Sequence, residues 1–509
     1  MSGDIYFAGE RTSRGDFQQT ARCIAQDMID RGLKVNDTIA VLMRNDLTLL
    51  ELTEACRFVG LRYASINWHS APQEVADILT DSQAKLFYAH ADLLAPVMSV
   101  VPPDVKVVSV PVPDAIHDAY ATSDLEVAGA IDFSPVLSST SEYAGEPEKL
   151  RGLFAYTSGS TGKPKGIQRT FDPDAPDRWQ TFEGMARILM GAQAGDRMYI
   201  SAPLYHSAPT ALAGFVMATG DVDLFIDPNF NPKRFLAVVQ EHRITHAYIV
   251  PTMMVRLLKL PQKVKDKYDV SSLRYTISTG SPCPVDVKKA MIDWFGPIHN
   301  ESYGASEIGF MTLINSEEAL AKPGSVGKIL PGGSVKVLDE DFNELPPGDM
   351  GVLYIHLPMF GDFVYSNQDG DFEGQRQGAF TTVGDMGTVD EDGYIFISDR
   401  KKDMIISGGA NIFSTEIEAQ LILMPEVADC AVFGVPDAEF GEAIAAAVCC
   451  QAGTSVTLES VRVFLEPRLA KFKLPSKVDV HDELPRQDSG KIYKAKLRAP
   501  YWEKSGRQV

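Results

Sequence analysis

Strand-like and helix-like periodicities alternate through the N-terminal part of the chain, and that alternation leaves few folds open. Phe17, Ala21, Ile24 and Met28 recur at helical spacing, the pattern stops near Gly32, and Thr38–Met43 then reads as a buried strand. A second helix is expected at Leu47–Val59, a strand at Tyr63–Ile66, a helix capped by Ser70 with Pro72 in its first turn, and a strand again at Lys85–Ala91. Repeated strand–helix alternation predicts parallel, doubly wound sheets.

Residues 111–148 are rich in Pro, Ser, Asp and Glu and read as an irregular connection, after which a second α/β series runs from about 152 to 312. From about 324 to 400 short strands are expected between turns at Pro331-Gly332-Gly333, Pro346-Pro347-Gly348 and Glu391-Asp392-Gly393. A compact α+β stretch follows Asp399-Arg400-Lys401-Lys402-Asp403. The expected fold class is therefore α/β: a large N-terminal domain of two doubly wound α/β subdomains plus a β-rich subdomain, then a small α+β C-terminal domain.

With 45% hydrophobic and 23% charged residues the chain has the balance of a soluble globular protein. Its 68 Asp and Glu outnumber 48 Lys and Arg, a net charge of −20 that repels phosphate backbones and makes nucleic acid a poor partner. An anionic ligand would need its own patch of Lys, Arg or backbone N–H groups. Cys23, Cys56, Cys283, Cys430, Cys449 and Cys450 are scattered without a C-x-x-C pair, so neither a disulfide framework nor a zinc knuckle is implied and a reducing compartment fits. No signal peptide is visible, and the uncharged run Met198–Gly220 is interrupted by Pro203, His206 and Pro209, so no membrane span is expected and the location is expected to be cytoplasmic.

The locally basic patch lies in Tyr156-Thr157-Ser158-Gly159-Ser160-Thr161-Gly162-Lys163-Pro164-Lys165-Gly166, directly after a predicted buried strand. Small hydroxylated residues and glycines let backbone N–H groups and Oγ atoms surround a polyphosphate, while Lys163 and Lys165 offset its charge. The loop does not fit Walker A, because Gly159 and Gly162 are too close and Pro follows Lys163. Ser160-Thr161-Gly162-Lys163 also has the S-x-x-K spacing of a serine acyl-enzyme hydrolase, for which the chain offers only Lys504-Ser505-Gly506 as a partner motif.

The segment Tyr156–Gly166 resembles the phosphate loop of adenylate-forming enzymes, the superfamily of acyl-CoA synthetases, peptide-synthetase adenylation domains and beetle luciferases. Further blocks follow in that family's order: Pro203-Leu204-Tyr205-His206-Ser207, Ser302-Tyr303-Gly304-Ala305-Ser306-Glu307, Thr382-Val383-Gly384-Asp385, Asp399–Asp403, Ser407-Gly408-Gly409-Ala410-Asn411-Ile412 and Pro485-Arg486-Gln487-Asp488-Ser489-Gly490-Lys491. The resemblance implies that a carboxylate attacks the α-phosphate of ATP, giving an acyl-adenylate and pyrophosphate, after which a thiol takes the acyl group.

By the same resemblance, Thr157 to Lys163 and Lys165 would bind the phosphates, Glu307 would hold Mg²⁺ against them, and Ser306 stands where threonine is usual. Tyr303 and Gly304, with Gly280-Ser281-Pro282, would line the adenine; Asp385 would accept hydrogen bonds from the ribose hydroxyls, and Arg400 would contact ribose or phosphate. Lys491 resembles the lysine that reaches the α-phosphate and carboxylate oxygens, leaving Lys494 and Lys496 as ordinary exposed lysines. The family turns its C-terminal domain between half-reactions, here about a hinge at Lys402, which implies residues 1–399, a 400–402 hinge and a mobile domain at 403–509. That motion would bring Ser407, Gly408 and Gly409 alongside the thiol tunnel, where glycines allow a pantetheine arm to pass close to backbone. Phe413 and Ser414 depart from the Tyr and Pro common in the family.

No carrier-like segment follows Lys491, so the expected acceptor is free coenzyme A, with a separate carrier protein or another nucleophile as the alternative. His206 would gate the acyl pocket or contact the carboxylate, and the pocket would draw on Tyr205, His206, Phe215, Pro251, Met253 and Gly280. Because this set is mostly apolar, the expected partner is a hydrophobic small-molecule carboxylic acid, aliphatic or aromatic. ATP, Mg²⁺ and coenzyme A are the expected cofactors and co-substrates, and a homodimer is left open.

Overall fold

The alternation read from the sequence becomes two large sheets. In chain order their strands are β1 (Ile5–Phe7), β2 (Glu10–Thr12), β3 (Thr38–Leu42), β4 (Arg62–Ser65), β5 (Ala84–His90), β6 (Lys106–Val110), β7 (Ile131–Asp132), β8 (Leu153–Ser158), β9 (Pro164–Arg169), β10 (Arg197–Ile200), β11 (Asp223–Ile226), β12 (His246–Tyr248), β13 (Tyr275–Ser278) and β14 (His299–Glu301). The computed structural model describes residues 3–158, 164–174, 176–366, 375–400, 403–408, 410–437, 439–486 and 492–505.

One sheet runs β14-β13-β12-β10-β11-β1-β2 and is parallel except at the β1–β2 edge. The other has eight strands, with β9, β8, β4, β3, β5, β6 and β7 in that order and the strand Phe363–Tyr365 outside β9. Its pairing is parallel from β8 to β7 and antiparallel at β8–β9 and beyond. β3 is buried at every position, as a strand covered on both faces must be.

The helix Arg14–Asp30 starts where Ser13 accepts a hydrogen bond from the Asp16 N–H, and it buries Phe17, Ala21, Ile24 and Met28. The helix Leu47–Val59 ends at Gly60, whose φ of 75° is the left-handed cap that stops it. The third helix, Pro72–Asp81, corrects the expectation that Ser70 caps it: the cap is Ala71, whose N–H donates to the Glu74 carboxylate at 2.6 Å. The side chain on the third helical residue thus provides the capping contact here. Within 111–148 the irregular connection carries two short helices, Asp114–Tyr120 and Ser134–Leu137, as well as β7.

Packing between these layers makes one large apolar core that includes Phe17, Tyr88, Phe133, Tyr199 and Phe215. Among the described residues no helix is long and apolar enough to cross a membrane.

The stretch from 324 to 400 forms a separate six-stranded sheet that includes Ser334–Leu338, Gly351–His356, Asp385–Val389 and Ile395–Arg400. One strand does not stay with it: Phe363–Tyr365 crosses over to extend the β9 edge.

Beyond residue 403 the strands Ile405–Ser407, Ala410–Ile412, Val427–Asp437, Gly441–Cys450 and Lys477–His481 form a five-stranded sheet. Along Val427–Asp437 the side chains alternate between two cores: Cys430 and Val432 join Ile417 and Leu465 on one face, whereas Ala431, Phe433 and Val435 join Leu484 and Leu497 on the other.

Candidate active site

Parallel pairing puts the carboxyl ends of β10, β12, β13 and β14 along one edge of their sheet, and the strand order reverses between β10 and β12. Open α/β sheets offer a crevice at such a reversal. Four segments leave the sheet there: Pro203–Ser207 after β10, Pro251 after β12, Gly280–Pro282 after β13 and Ser302–Glu307 after β14.

The turn after β14 is held by the backbone. Ser302 N–H donates to Ser278 O at 2.9 Å, and the Tyr303 carbonyl accepts from Met311 N–H at 2.8 Å. Gly304 then pairs with Phe310 in a tight antiparallel bridge. A Cβ on Gly304 would lie 2.6 Å from the Gly309 carbonyl oxygen, so no other residue fits without moving backbone.

Tyr303 reaches out of this turn to the β-rich unit. Its hydroxyl donates to Asp385 Oδ2 at 2.5 Å, and Arg400 Nε lies 3.3 Å from Asp385 Oδ1. Asp385 and Arg400 face each other across neighbouring antiparallel strands, which sets their spacing. Burial, reinforced by Asp385, pushes the Tyr303 phenol well up, so it stays a donor. Burial works against the Arg400 guanidinium, yet Asp385, Asp403 and Glu307 together hold its pKa above the ordinary value. This is a half-buried cation facing a crevice in an acidic protein.

Glu307 is gripped from β9 and its outer neighbour. The Tyr365 hydroxyl donates to Oε1 at 3.2 Å, while Arg169 donates to the Glu307 carbonyl at 2.6 Å and to the Ser306 carbonyl at 3.0 Å. The Ser306 hydroxyl is 2.9 Å from that of Ser207, the first residue of the helix Ser207–Thr219. Among the described residues Glu307 Oε2 takes no hydrogen bond, and no group of three or more His, Cys, Asp or Glu that could hold a metal ion is found. A single carboxylate oxygen fits a hard cation that completes its shell with phosphate and water oxygens.

The phosphate loop joins β8 to β9, whose register pairs Thr157 with Lys165 and Ser158 with Pro164. Gly159, Ser160, Thr161, Gly162 and Lys163 lie outside the described residues, as do both ends of the S-x-x-K spacing. Lys165 Nζ sits 5.8 Å from the ring centroid of Tyr365, the residue whose hydroxyl donates to Glu307.

The predicted acyl residues are divided between two environments. Tyr205 and Met253 line a cavity of about 200 Å³ with Pro203, Trp68, His69, Tyr120, Asn229 and Phe230. Phe215 is fully buried, its ring packed on Phe182 and Phe310. Pro251 opens the helix Pro251–Leu258, and Gly280 has a φ of 94° beside Tyr248. His206 precedes Ser207–Thr219 as its N-cap, with its ring 4.1 Å from the Tyr205 ring. Burial lowers the pKa of His69 at the cavity wall, while Glu483 and Arg486 of the C-terminal part act on it with opposite signs.

Lys491, Lys402 and Gly409 lie outside the described residues. Arg486 bridges Ile492, so the chain is paired on both sides of the Lys491 segment. Ser407 pairs with Gly441, and Gly408 donates its N–H to Phe440 O at 2.8 Å. Lys494 corrects the sequence reading: its side chain is 15% exposed, ion-paired with Glu418 at 2.7 Å and bonded to Ser414 Oγ at 2.6 Å. Docking of the helix Lys494–Ser505 on the C-terminal sheet accounts for this, and sequence periodicity does not reveal it. Asp399 Oδ2 accepts from Ser414 N–H and Oγ at 2.8 and 2.7 Å, tying the last strand of the β-rich sheet to the first helix beyond residue 403.

Arg169 and Tyr365 were not singled out from the sequence, because only the antiparallel register that sets Phe363 against Arg169 and Tyr365 against Ile167 brings them to Glu307.

The model of the AMP-binding enzyme matches residues 4–361, and that of the AMP-binding enzyme C-terminal domain matches residues 416–491. Feruloyl-CoA synthase of an Amycolatopsis species is 29% identical over 97% of this chain and 95% of its own length. The long-chain-fatty-acid–CoA ligase FadD13 of Mycobacterium tuberculosis is 31% identical over 92% of this chain and 89% of its own. Among solved structures, ATP-bound MatB from Rhodopseudomonas palustris superposes with a TM-score of 0.80 at 28% identity, covering 98% of this chain and 96% of that one.

Proposed function

The chain belongs to the AMP-binding enzyme family and is an AMP-forming acid–CoA ligase, and on that premise we propose that it activates a hydrophobic carboxylic acid, aliphatic or aromatic. The carboxylate oxygen attacks the α-phosphorus of ATP, pyrophosphate leaves, and the acyl-adenylate forms. The coenzyme A thiol then adds to the acyl carbon, AMP leaves, and the thiol proton passes to solvent.

The observation that carries this reading is the convergence of Tyr303, Asp385, Arg400 and Glu307, drawn from two sheets, on the crevice at the carboxyl ends of β10 to β14. Tyr303 lies along the adenine, Asp385 receives the ribose hydroxyls, and Arg400 offsets phosphate charge. The loop from Thr157 through Lys165 holds the polyphosphate with backbone N–H groups and two lysines. Mg²⁺, when bound, neutralises charge on the phosphates and pyrophosphate, and Glu307 is the residue that holds it.

Two anions must meet, so positioned cations matter more than acid–base chemistry. Lys491 supplies one for the α-phosphate and the acid during adenylation. Residues 1–399 and 403–509 act as separate domains hinged at Lys402, and rotation replaces Lys491 with the Ser407–Gly409 segment beside the pantetheine arm. The acid enters past His206 against Tyr205, Met253 and the Gly280 turn.

A panel of carboxylic acids assayed for pyrophosphate and AMP release, with and without coenzyme A, tests the reading. Acid-dependent pyrophosphate release together with an acyl-CoA product is the expected result. Acyl-adenylate accumulating unchanged in the presence of coenzyme A would assign the acceptor to a different nucleophile.

A further inference from the structure

Arg169 lies at the far end of β9 from the phosphate loop, and its guanidinium is taken up by backbone carbonyls of the turn after β14. It donates to two successive carbonyls, Ser306 O at 3.0 Å and Glu307 O at 2.6 Å. Those carbonyls belong to the peptide planes on either side of the Glu307 Cα. Fixing both planes fixes the direction of the Cα–Cβ bond and so the arc its carboxylate can sweep. Tyr365 then sets the position on that arc by donating to Oε1 at 3.2 Å.

We propose that Arg169 is a positioning residue for the metal-binding carboxylate of Glu307, locking its backbone so that Oε2 meets Mg²⁺ at the phosphates. The proposal rests on the assignment of Glu307 to Mg²⁺ made above. Arginine suits this task because its planar fork carries parallel donors at fixed spacing, whereas a lysine ammonium is one point donor on a flexible stem.

The geometry also makes the phosphate loop and the metal ligand parts of one frame. Tyr365 stands opposite Ile167, and Phe363 stands opposite Arg169, across two strands. Both grips on Glu307 therefore come from the ribbon that carries the loop. Desolvation, with Arg178 adding, brings the Arg169 pKa down to about 10, so the side chain remains a cation at neutral pH. Arg178, Glu307 and Asp362 are the charged groups facing it, and Phe363 lies 6.0 Å below the guanidinium.

The test is equilibrium binding of a fluorescent N-methylanthraniloyl ATP, titrated with Mg²⁺, in the wild type and in Arg169→Met, Arg169→Lys and Tyr365→Phe. Residues that orient a metal ligand typically contribute about 10- to 100-fold to metal affinity. Arg169→Met should raise the half-saturating Mg²⁺ by that order, Arg169→Lys by less, and both should leave metal-free nucleotide affinity unchanged. If Arg169→Met does not fold, Arg169→Lys carries the comparison, with its thermal midpoint reported beside it. Equal losses with and without Mg²⁺ would make Arg169 merely structural and overturn the proposal. A raised Mg²⁺ demand in Tyr365→Phe with none in the Arg169 variants would also overturn it while keeping Glu307 as the ligand. A wild type indifferent to Mg²⁺ would remove Glu307 from that role, and Arg169 with it.

Discussion

Tyr303 and Asp385 stand 82 positions apart in sequence, yet the tyrosine hydroxyl donates to the aspartate at 2.5 Å. The residue proposed for adenine and the residue proposed for ribose therefore hold each other before nucleotide arrives. Tyr303→Phe removes a hydrogen bond to a charged group, worth about 1.5–3 kcal/mol, so the KM for ATP should rise about tenfold or more with a smaller change in kcat. Tyr303→Phe made on top of Asp385→Ala should add little, because the two act through one bond. Additive losses in that cycle would separate the two residues.

Lys491→Ala should abolish acyl-adenylate formation while sparing thioester formation from a preformed acyl-adenylate. Lys402→Pro should do the reverse. The two half-reactions are measured separately, as pyrophosphate release and as conversion of the synthetic adenylate by coenzyme A. Equal loss of both halves in the Lys491 variant would sink its assignment, and an unaffected second half in the Lys402 variant would move the hinge elsewhere.

Glu51 gives a pH-dependent prediction. Its side chain is 4% exposed in the helix Leu47–Val59, and burial, with Asp46 adding, pushes its carboxyl up to about 8. A raised carboxyl means that the folded chain holds the proton longer than the unfolded one, so stability is full below the ordinary value near 4.5 and is lost as pH rises toward 8. Glu51→Gln should therefore stabilise the chain more at pH 8 than at pH 5, by at most about 1.4 kcal/mol per pH unit. His299 has the opposite sign: burial, with Lys288 adding, brings it down to about 3, so its contribution is lost as pH falls below 6.5. Urea unfolding of wild type and Glu51→Gln at both pH values measures the difference, and a gap that does not widen with pH would refute the assignment.

Lys494→Met leaves the Glu418 carboxylate without its cation on the C-terminal domain, and because that carboxylate is still 21% exposed the loss should stay below the ~3–5 kcal/mol of a fully buried pair. Lys496→Met, on an exposed position of the same helix, should stay within about 0.5 kcal/mol of wild type. Denaturant unfolding of the two variants checks this, and equal effects would return Lys494 to the surface.

Much of the architecture was legible in the chain. The fully buried β3 and the helix Leu47–Val59 follow from local periodicity, because each buries its face within a few neighbouring elements. The motif blocks marked Tyr303, Glu307, Asp385 and Arg400, and the structure brings them to one crevice. What escaped was information held between elements. Arg169 and Tyr365 look like ordinary strand residues until register places them on Glu307. Lys494 looks like a solvated lysine until its helix docks over Glu418 and Ser414. Ser70 is a good capping residue by type, but Glu74 already supplies the contact from inside the helix.

The crossing of Phe363–Tyr365 into the eight-stranded sheet limits how the chain can be divided. A fragment stopping at residue 361, where the match to the larger family model ends, would contain every parallel strand of both large sheets and still be damaged. It would bare the β9 edge, an open row of backbone donors and acceptors ready to pair with another copy. It would also discard the hydroxyl that steadies Glu307. Shortened versions of this enzyme should therefore aggregate unless they run past Tyr365, and the working minimal unit is set by a strand exchanged between layers rather than by the boundary of any one sheet.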